Sequence, residues 1–523
     1  MNLLRATATI GSLTLLSRIA GFVRDVLQAT LIGAGMAADA FLIAQRLPNL
    51  FRALFAEGAF AAAFVPMFNR QVGADGGRLD GARAFAEDVL AMLLPFLMLF
   101  TVVMVAAAGP VVWGLTGGFP DASAEKFALT VHFTRLTFPY LMLISLTSLL
   151  GGLLNSVGRF AVNAAAPILL NLVLIAGMLW SAGSPSVEAA RTQALCVTLG
   201  GIAQLAWLMW SCQRAGLSLR LRWPRLTAQV RQLLKLIVPA ALGAGAVQIN
   251  LLVSTALAAR FLGEGAVSWL YYADRLNQLP LGIIGIGVGT ALLPAMSRLL
   301  GAGDAGAAVA QQNRAIELVL LLTLPAAAGL VVAAEPIIRV LFEHGQFRAA
   351  DSAATAAALA GFALGLPAYV LIKVLTPGFH ARSDTQTPVR VALASMLVNL
   401  VANLLLVWPL GHVGIAVGTA ISAWMNAATL WWLLQRRGHF ALDARARRLL
   451  PRLLLATAGM VAALVQLLPR LAVVPGEPLL RQSIMLALLI SADGLAYLGA
   501  ARTLGLFTLS GLFARFRARR KPS

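Results

Sequence analysis

The sequence predicts an all-α polytopic membrane protein of about 14 transmembrane helices, in two pseudo-symmetric six-helix lobes plus two extra C-terminal helices. Three observations support this prediction. The 523 residues are 59% hydrophobic and only 12% charged, with a mean hydropathy of +0.82, whereas soluble proteins carry about 25% charged residues. Apolar stretches recur along the whole chain, and its two halves repeat each other. This composition excludes a soluble enzyme, a disulfide-stabilised secreted domain and a disordered chain.

The apolar stretches are long enough to cross a membrane, which takes about 20 residues in a helix. The first stretch contains Arg18 and Arg24 and has no small-residue cleavage site, so we expect a retained helix rather than a signal peptide. The stretches centre near residues 20, 55, 98, 140, 170, 202, 248, 282, 325, 362, 398, 424, 460 and 495.

The net charge of +20 comes from 41 basic and 21 acidic residues. Such a balance can indicate nucleic-acid binding, but the basic residues here concentrate in alternate connectors. The even-numbered connectors and the two termini carry 28 of them, and the odd-numbered connectors carry seven. By the positive-inside rule, the even connectors and both termini are cytoplasmic. The charge therefore predicts a membrane topology, and no nucleic-acid partner is expected.

The two halves of the chain repeat at an offset of 228 residues. Pro139 pairs with Pro367 at this offset, and Asn171 pairs with Asn399. Because each half contains an even number of spans, the repeats are parallel, as in alternating-access transporters with a substrate site between lobes. The predicted parts are an N-lobe of spans 1–6 (1–213), a basic cytoplasmic connector (214–235), a C-lobe of spans 7–12 (236–440), and spans 13–14 with a basic cytoplasmic tail (441–523).

Six arginines lie inside predicted spans, where a charge at mid-bilayer costs at least about 2.5 kcal/mol. They are Arg18, Arg24, Arg46, Arg52, Arg135 and Arg275. Acidic residues in the same spans are fewer: Asp25, Asp39, Glu57 and Asp274. Structural ion pairs are one explanation for these buried charges, but the arginines outnumber the acidic residues that could pair with them.

Helical periodicity groups several of these charges. On ideal helices Arg18 shares a face with Asp25, and Asp39 shares one with Arg46 and Glu57. Ser268 lies on the face of Arg275. We expect breaks at Gly21 and Pro48 to turn Arg24 and Arg52 towards the same faces. Since arginine binds phosphate bidentately, the sequence predicts a site for an anionic or pyrophosphate-bearing substrate.

The same residues lie in recognisable motifs. They are SRIAGFVRD at 17–25, GAGMAADAF at 33–41, RLPNLFRALFAEGAF at 46–60 (which includes Asn49), FVP at 64–66 and SWLYYADRL at 268–276. These motifs closely resemble the bacterial lipid II flippase family MurJ (MviN), in the multidrug/oligosaccharidyl-lipid/polysaccharide exporter superfamily. The resemblance covers nearly the whole chain.

The resemblance implies that Arg18, Arg24, Arg52 and Arg275 line a central cavity and bind substrate, with Asp39 also important. Asp25, Arg46, Asn49, Glu57, Ser268 and Asp274 are the expected supporting residues. It further implies that the two extra helices form a groove for a polyprenyl tail. Some family members bind sodium in the second lobe, but only Asn399, Asn403 and Thr419 stand there in this chain, without Asp or Glu.

No metal or other cofactor is expected. The five histidines have no ligand spacing, and the glycine run at 282–289 lies inside an apolar stretch, where helix packing or a flexible gate are its expected uses. Cys196 and Cys212 are expected to pack in the core rather than to bridge.

The sequence therefore predicts a flippase, not an enzyme, that moves lipid II, the undecaprenyl-pyrophosphate-linked disaccharide-pentapeptide, across the bacterial cytoplasmic membrane by alternating access. Coupling to a monovalent ion or to the membrane potential is left open by the sequence. The alternatives are a flippase for another polyprenyl-linked glycan or a multidrug exporter of the same superfamily. A membrane-embedded enzyme acting on the polyprenyl lipid and a non-transporting scaffold fit the arginines less well.

Overall fold

The structure, a computed structural model, describes residues 3–55, 59–74, 79–119, 124–471, 473–474 and 476–506. These residues form nineteen helices, and no strand occurs among them. The all-α class is therefore confirmed. Eleven helices or joined helix pairs within the described residues are long and apolar enough to cross a membrane, and all fourteen predicted centres lie in helices.

The helices of the first half extend from the predicted N-lobe through the predicted connector into the predicted C-lobe. They are α1 (Leu3–Ile32), α2 (Met36–Phe55), α3 (Ala59–Ala74), α4 (Asp80–Ala106), α5 (Ala108–Thr116), α6 (Ala124–Thr137), α7 (Tyr140–Ser156), α8 (Phe160–Trp180), α9 (Ser186–Arg214) and α10 (Ala228–Phe261).

The helices of the second half continue to the last described residues. They are α11 (Ala266–Gly301), α12 (Ala305–Val332), α13 (Ala334–Phe342), α14 (Ala349–Ala363), α15 (Leu366–His380), α16 (Gln386–Leu410), α17 (His412–Arg436), α18 (Ala444–Leu467) and α19 (Leu479–Thr503).

The sequence repeat is visible in the helix breaks. Pro139 stands at the junction of α6 and α7, and Pro367, its partner at offset 228, stands in the first turn of α15 just after the junction with α14. A proline is tolerated in a first helical turn but removes an N–H and clashes with the preceding turn inside a helix. The paired prolines therefore place the same break in both halves.

Two compact units can be distinguished. The first contains residues 1–268 and 344–348, and the second contains residues 269–343 and 349–523. The division between the two units thus lies later in the chain than the connector predicted at 214–235. The reason is that α10 packs on α2, α3, α4 and α5 within the first unit. The short segment 344–348 joins the first unit as the Gln346 N–H donates to the carbonyl of Thr30 (2.8 Å).

Each unit has its own apolar core. In the first, Phe64, Phe68 and Phe85 are buried among residues of α3, α4, α7 and α9. In the second, the core joins α11, α12, α15 and α17 and includes Met296 and Phe379. The two C-terminal helices, α18 and α19, pack on each other and on α12 in this second unit.

Candidate anion-binding site

Arg24 is the most deeply placed of the arginines predicted to bind substrate, with 9% of its surface exposed. Its Nη2 and Nε donate to Asp25 Oδ1 (2.6 and 3.2 Å), and its Nη1 donates to Asn171 Oδ1 on α8 (3.2 Å). The amide of Asn171 in turn donates to the carbonyl of Ser17 (3.2 Å). One carboxylate and one neutral amide therefore orient a buried guanidinium between α1 and α8.

Gly21 serves this arrangement differently from the prediction. A break at Gly21 was expected to re-aim Arg24, and that expectation is wrong, because α1 is continuous from Leu3 to Ile32. A Cβ at Gly21 would lie 3.6 Å from Asn171 Nδ2. Gly21 therefore marks a place where α8 packs on α1, and this packing brings Asn171 to Arg24.

The other arginines of the first unit differ in exposure. Arg18 is exposed on α1, whereas Arg46 and Arg52 are half-buried on α2. Arg52 Nε donates to Asn49 Oδ1 within α2 (3.3 Å). Arg46 borders a small depression whose walls include Leu115 of α5 and Thr255 of α10. Pro48 lies inside α2, which continues past it to Phe55.

Asp39 forms a fully buried junction near the start of α2. Its Oδ2 pairs with Lys126 Nζ at the start of α6 (3.1 Å) and accepts the N–H of Gly265 (2.8 Å). Its Oδ1 accepts both the N–H (2.9 Å) and the hydroxyl (2.7 Å) of Ser268. A single carboxylate therefore joins α2, α6 and the beginning of α11, with donors sufficient to replace the water it has lost.

Arg275 lies on α11 within the second unit and is half-buried. Its Nε donates to the hydroxyl of Tyr271 one turn earlier (3.3 Å), with the guanidinium 5.3 Å from the ring centre. The neighbouring Asp274 accepts a hydrogen bond from Gln278 (2.6 Å). Glu57 lies outside the described residues.

The polar residues predicted in spans 11 and 12 bind one another. Asn399 Nδ2 donates to Thr419 Oγ1 (3.2 Å), and Asn403 Nδ2 donates to Asn399 Oδ1 (3.0 Å). The cluster joins α16 to α17 through uncharged groups. In the part of the chain that the structure describes, no group of three or more His, Cys, Asp or Glu side chains could hold a metal ion.

Two residues of these networks were not predicted as site residues. Lys126 was counted only as a topology signal in an odd connector, although it is one of just four lysines in the chain. Asn171 was noted as a repeat position, and an amide inside an apolar stretch was the signal that could have marked it as functional. Both partners are remote in sequence, so only the packing of α6 and α8 shows what they bind.

Comparisons with known proteins show which family and fold the chain resembles. Residues 28–481 match the family described as "Lipid II flippase MurJ". A probable lipid II flippase MurJ of Rhizobium tropici is 43% identical over 528 residues, covering 100% of this chain and 98% of the relative.

Two solved structures share the fold. A lipid II flippase MurJ in an inward closed conformation has a TM-score of 0.77 at 24% identity, with 95% of this chain and 99% of that chain covered. An inward-facing multidrug resistance MATE transporter of the MOP superfamily has a TM-score of 0.69 at 16% identity, with 82% and 97% covered.

Proposed function

The chain belongs to the lipid II flippase MurJ family, and from this we propose that it moves lipid II from the inner to the outer leaflet of the cytoplasmic membrane. The substrate is the undecaprenyl-pyrophosphate-linked precursor of peptidoglycan. The relatives that carry this name match essentially the full length of the chain, and the MATE transporter shares only the fold. The proposed activity is transport of an intact lipid without covalent chemistry.

One observation carries the assignment of the substrate headgroup. Arg24 keeps a guanidinium almost fully buried in a helix of spanning length, where its bonds include one to the carboxylate of Asp25 and one to the neutral amide of Asn171. A charge in this position is costly unless it is used or well paired. A pyrophosphate oxygen can replace the neutral amide at Nη1 and form a charge-assisted bond, which is about twice as strong as a neutral one.

We assign Arg18, Arg24, Arg52 and Arg275 to the pyrophosphate during the transport cycle. Asp25 and Asn171 then position Arg24, and Asn49 positions Arg52. Tyr271 supports Arg275 through its hydroxyl and its ring. The arginines bind the headgroup transiently, because a fixed, fully paired site would hold the lipid rather than release it.

Asp39 has a different role in this proposal. Its bonds to Gly265 and Ser268 fasten the beginning of α11 to α2, and the Lys126 ammonium balances its charge. Release of these bonds in one step of the cycle would free α11 to move, as alternating access requires. The two six-helix lobes, rocking against each other, remain part of the proposal.

The proposed orientation places both termini in the cytoplasm, because the basic connectors then follow the positive-inside rule. Movement of charge along the membrane potential supplies about 2.3 kcal/mol per charge per 100 mV. This energy is enough to bias the cycle, and we propose it as the driving force ahead of a bound monovalent ion.

The test replaces arginines in cells depleted of their own flippase. Arg24→Ala should abolish growth, and Arg24→Lys should restore it only in part, because lysine keeps the charge without the bidentate fork. Purified protein should bind the pyrophosphate-linked lipid in native mass spectrometry, and Arg24→Ala should weaken this binding at least about tenfold.

The matched control is Arg135→Ala, since Arg135 lies on α6 but is exposed. This variant should support normal growth. Full growth of Arg24→Ala at normal expression would contradict the headgroup assignment. Equal binding of the dephosphorylated lipid would contradict it independently.

A further inference from the structure

Asp493 is an acidic residue in the interior of α19, outside the candidate anion-binding site. It lies fourteen residues after Leu479 and ten before Thr503, or about 21 and 15 Å from the two helix ends at 1.5 Å per residue. Because α19 is a candidate membrane span, these distances place the carboxyl at the depth of the hydrocarbon core, which is about 30 Å thick.

The carboxyl faces α12 at a position adapted to receive it. A Cβ added at Gly329 of α12 would lie 3.3 Å from Asp493 Oδ2, so the missing side chain leaves room for the acid. Asp493 Oδ1 is buried, and no hydrogen-bond partner for it occurs in the described part of the chain.

One turn further along α19, Tyr497 fixes the same pair of helices. Its hydroxyl donates to the carbonyl of Leu321 on α12 (2.7 Å). That carbonyl needs an outside donor because residue 325, four positions later, is a proline without an N–H. Asp493 and Tyr497 are four residues apart and share a helix face, so the seating of α19 on α12 determines where the carboxyl lies.

The described stretches that face the carboxyl carry no counter-charge for it. The facing stretches 320–333 of α12 and 456–467 of α18 contain no ionisable residue, and Tyr497 is the ionisable neighbour on α19 itself. Helix α13 also packs on α19, and there Arg339 pairs with Glu335 (2.5 Å) and Glu343 (3.5 Å). In such an environment the ionised form is strongly disfavoured.

We propose that Asp493 is a proton-binding site of the membrane-embedded helices, with the carboxyl neutral while α19 is seated on α12 and ionised when the two helices separate. The ligand of the site is a proton exchanged with water. The site lies in the second unit and does not depend on the arginines, so it gives the protein a titratable group that the proposed headgroup binding does not use.

The experiment uses the full chain in lipid vesicles and two carbodiimides. Dicyclohexylcarbodiimide partitions into lipid and adds to a protonated carboxyl, which gives a stable N-acylurea that mass spectrometry locates. Asp493 should be labelled, and the labelling rate should fall about tenfold for each pH unit above the midpoint of its titration. A water-soluble carbodiimide should instead modify Asp304, an exposed residue at the start of α12.

The main measurement uses the native chain, and two variants serve as its controls. Asp493→Asn should remove the label, and Asp493→Glu should keep it. Labelling of Asp493 by the water-soluble reagent as fast as Asp304 would overturn the proposal. Absence of labelling by dicyclohexylcarbodiimide, or labelling independent of pH between about pH 5 and pH 9, would overturn it as well.

Discussion

The connectors that follow α9 and α17 begin in the same way and are fastened differently. Both helices end in a Gln-Arg-x-Gly sequence, at 213–216 and 435–438. Gly216 and Gly438 have φ values of 72° and 68°. The next N–H, from Leu217 or His439, returns to the carbonyl of residue 212 or 434 at 2.9 Å in each case. The turn is therefore set locally, by a glycine in the left-handed region.

The two connectors differ in the residues that follow the turn. Leu217 is buried in the core of the first unit. His439 occupies the equivalent position in the second unit, and there Phe440, one residue later, enters the core. The first connector thus continues with an apolar anchor, and the second begins with a titratable side chain.

A buried glutamate holds each connector. Glu87 of α4 accepts the N–H of Arg220 (3.0 Å) and pairs with Arg222 (2.7 Å) and Arg83 (3.2 Å). In the second unit, Glu317 of α12 pairs with Arg445 at the longer distance of 3.5 Å.

The second connector divides its charges among several partners. Arg314 binds both Glu317 and Asp443, and Arg437 pairs with Asp384 (2.6 Å). The comparison teaches that two connectors can share a backbone turn and still differ in their ionic contacts. These contacts are concentrated on one acid in the first connector and distributed among several in the second.

The largest expected effect comes from Glu87, the one acid on which the contacts of the first connector are concentrated. Glu87→Ala removes the acceptor of a backbone N–H and the partner of two arginines, so we expect a loss of about 2 kcal/mol in the free energy of unfolding. Glu317→Ala should cost less, since Asp443 still binds Arg314. Thermal unfolding of the detergent-purified variants measures both. An equal or larger loss for Glu317→Ala would break the comparison, and Asp88→Ala, whose contact with Arg222 is 3.9 Å, is the near-neutral control.

The two glycines should give smaller and equal effects. Neither Gly216 nor Gly438 has an atom within 4 Å of an added Cβ. An alanine should therefore lower the free energy of unfolding only by the cost of placing its backbone in the left-handed conformation, about 1 kcal/mol. The same unfolding assay should show matching losses for Gly216→Ala and Gly438→Ala. Asparagine, which tolerates this conformation better, should recover part of each loss. Clearly unequal losses would show that the turns are not equivalent.

The smallest effect is the pH dependence that a histidine contributes in the second connector. Burial, together with Arg382 and Arg437, lowers the pKa of His439 below its usual 6.5. The folded state then binds the proton less readily than the unfolded state, so stability should fall as the pH drops through about 6.5. The pKa of Asp384 is lowered by its bonds to Thr387 and Arg437, and its contribution is lost only below the usual 3.8.

His439→Leu gives the second connector the residue of the first. It should reduce the acid-induced drop in melting temperature between about pH 7.5 and pH 5.5, whereas Leu217→Ala should leave that drop unchanged. A native-like drop in His439→Leu would assign the pH dependence to another group.

Sequence reasoning could predict the helical membrane fold, because hydropathy and charge distribution act over whole segments. It also singled out Arg24 and Asp39 as charges inside spans, and both are buried, since the cost of burying charge depends mainly on depth. It did not identify two of their partners, Asn171 and Lys126. Asn171 reaches Arg24 through the packing of α8 at Gly21, and Lys126 reaches Asp39 from 87 residues away. Such contacts depend on which helices pack together and in what register, and no local pattern encodes either.

Helix α11 is fixed at one end by two adjacent residues that belong to different units. Ser268 binds Asp39 in the first unit. Trp269, the next residue, donates its indole N–H to Asp351 in the second (2.9 Å). The beginning of α11 is therefore held by side-chain hydrogen bonds on two consecutive residues. The stretch from Pro280 to Pro294, with four glycines and missing N–H groups, is where this helix can bend at the lowest cost.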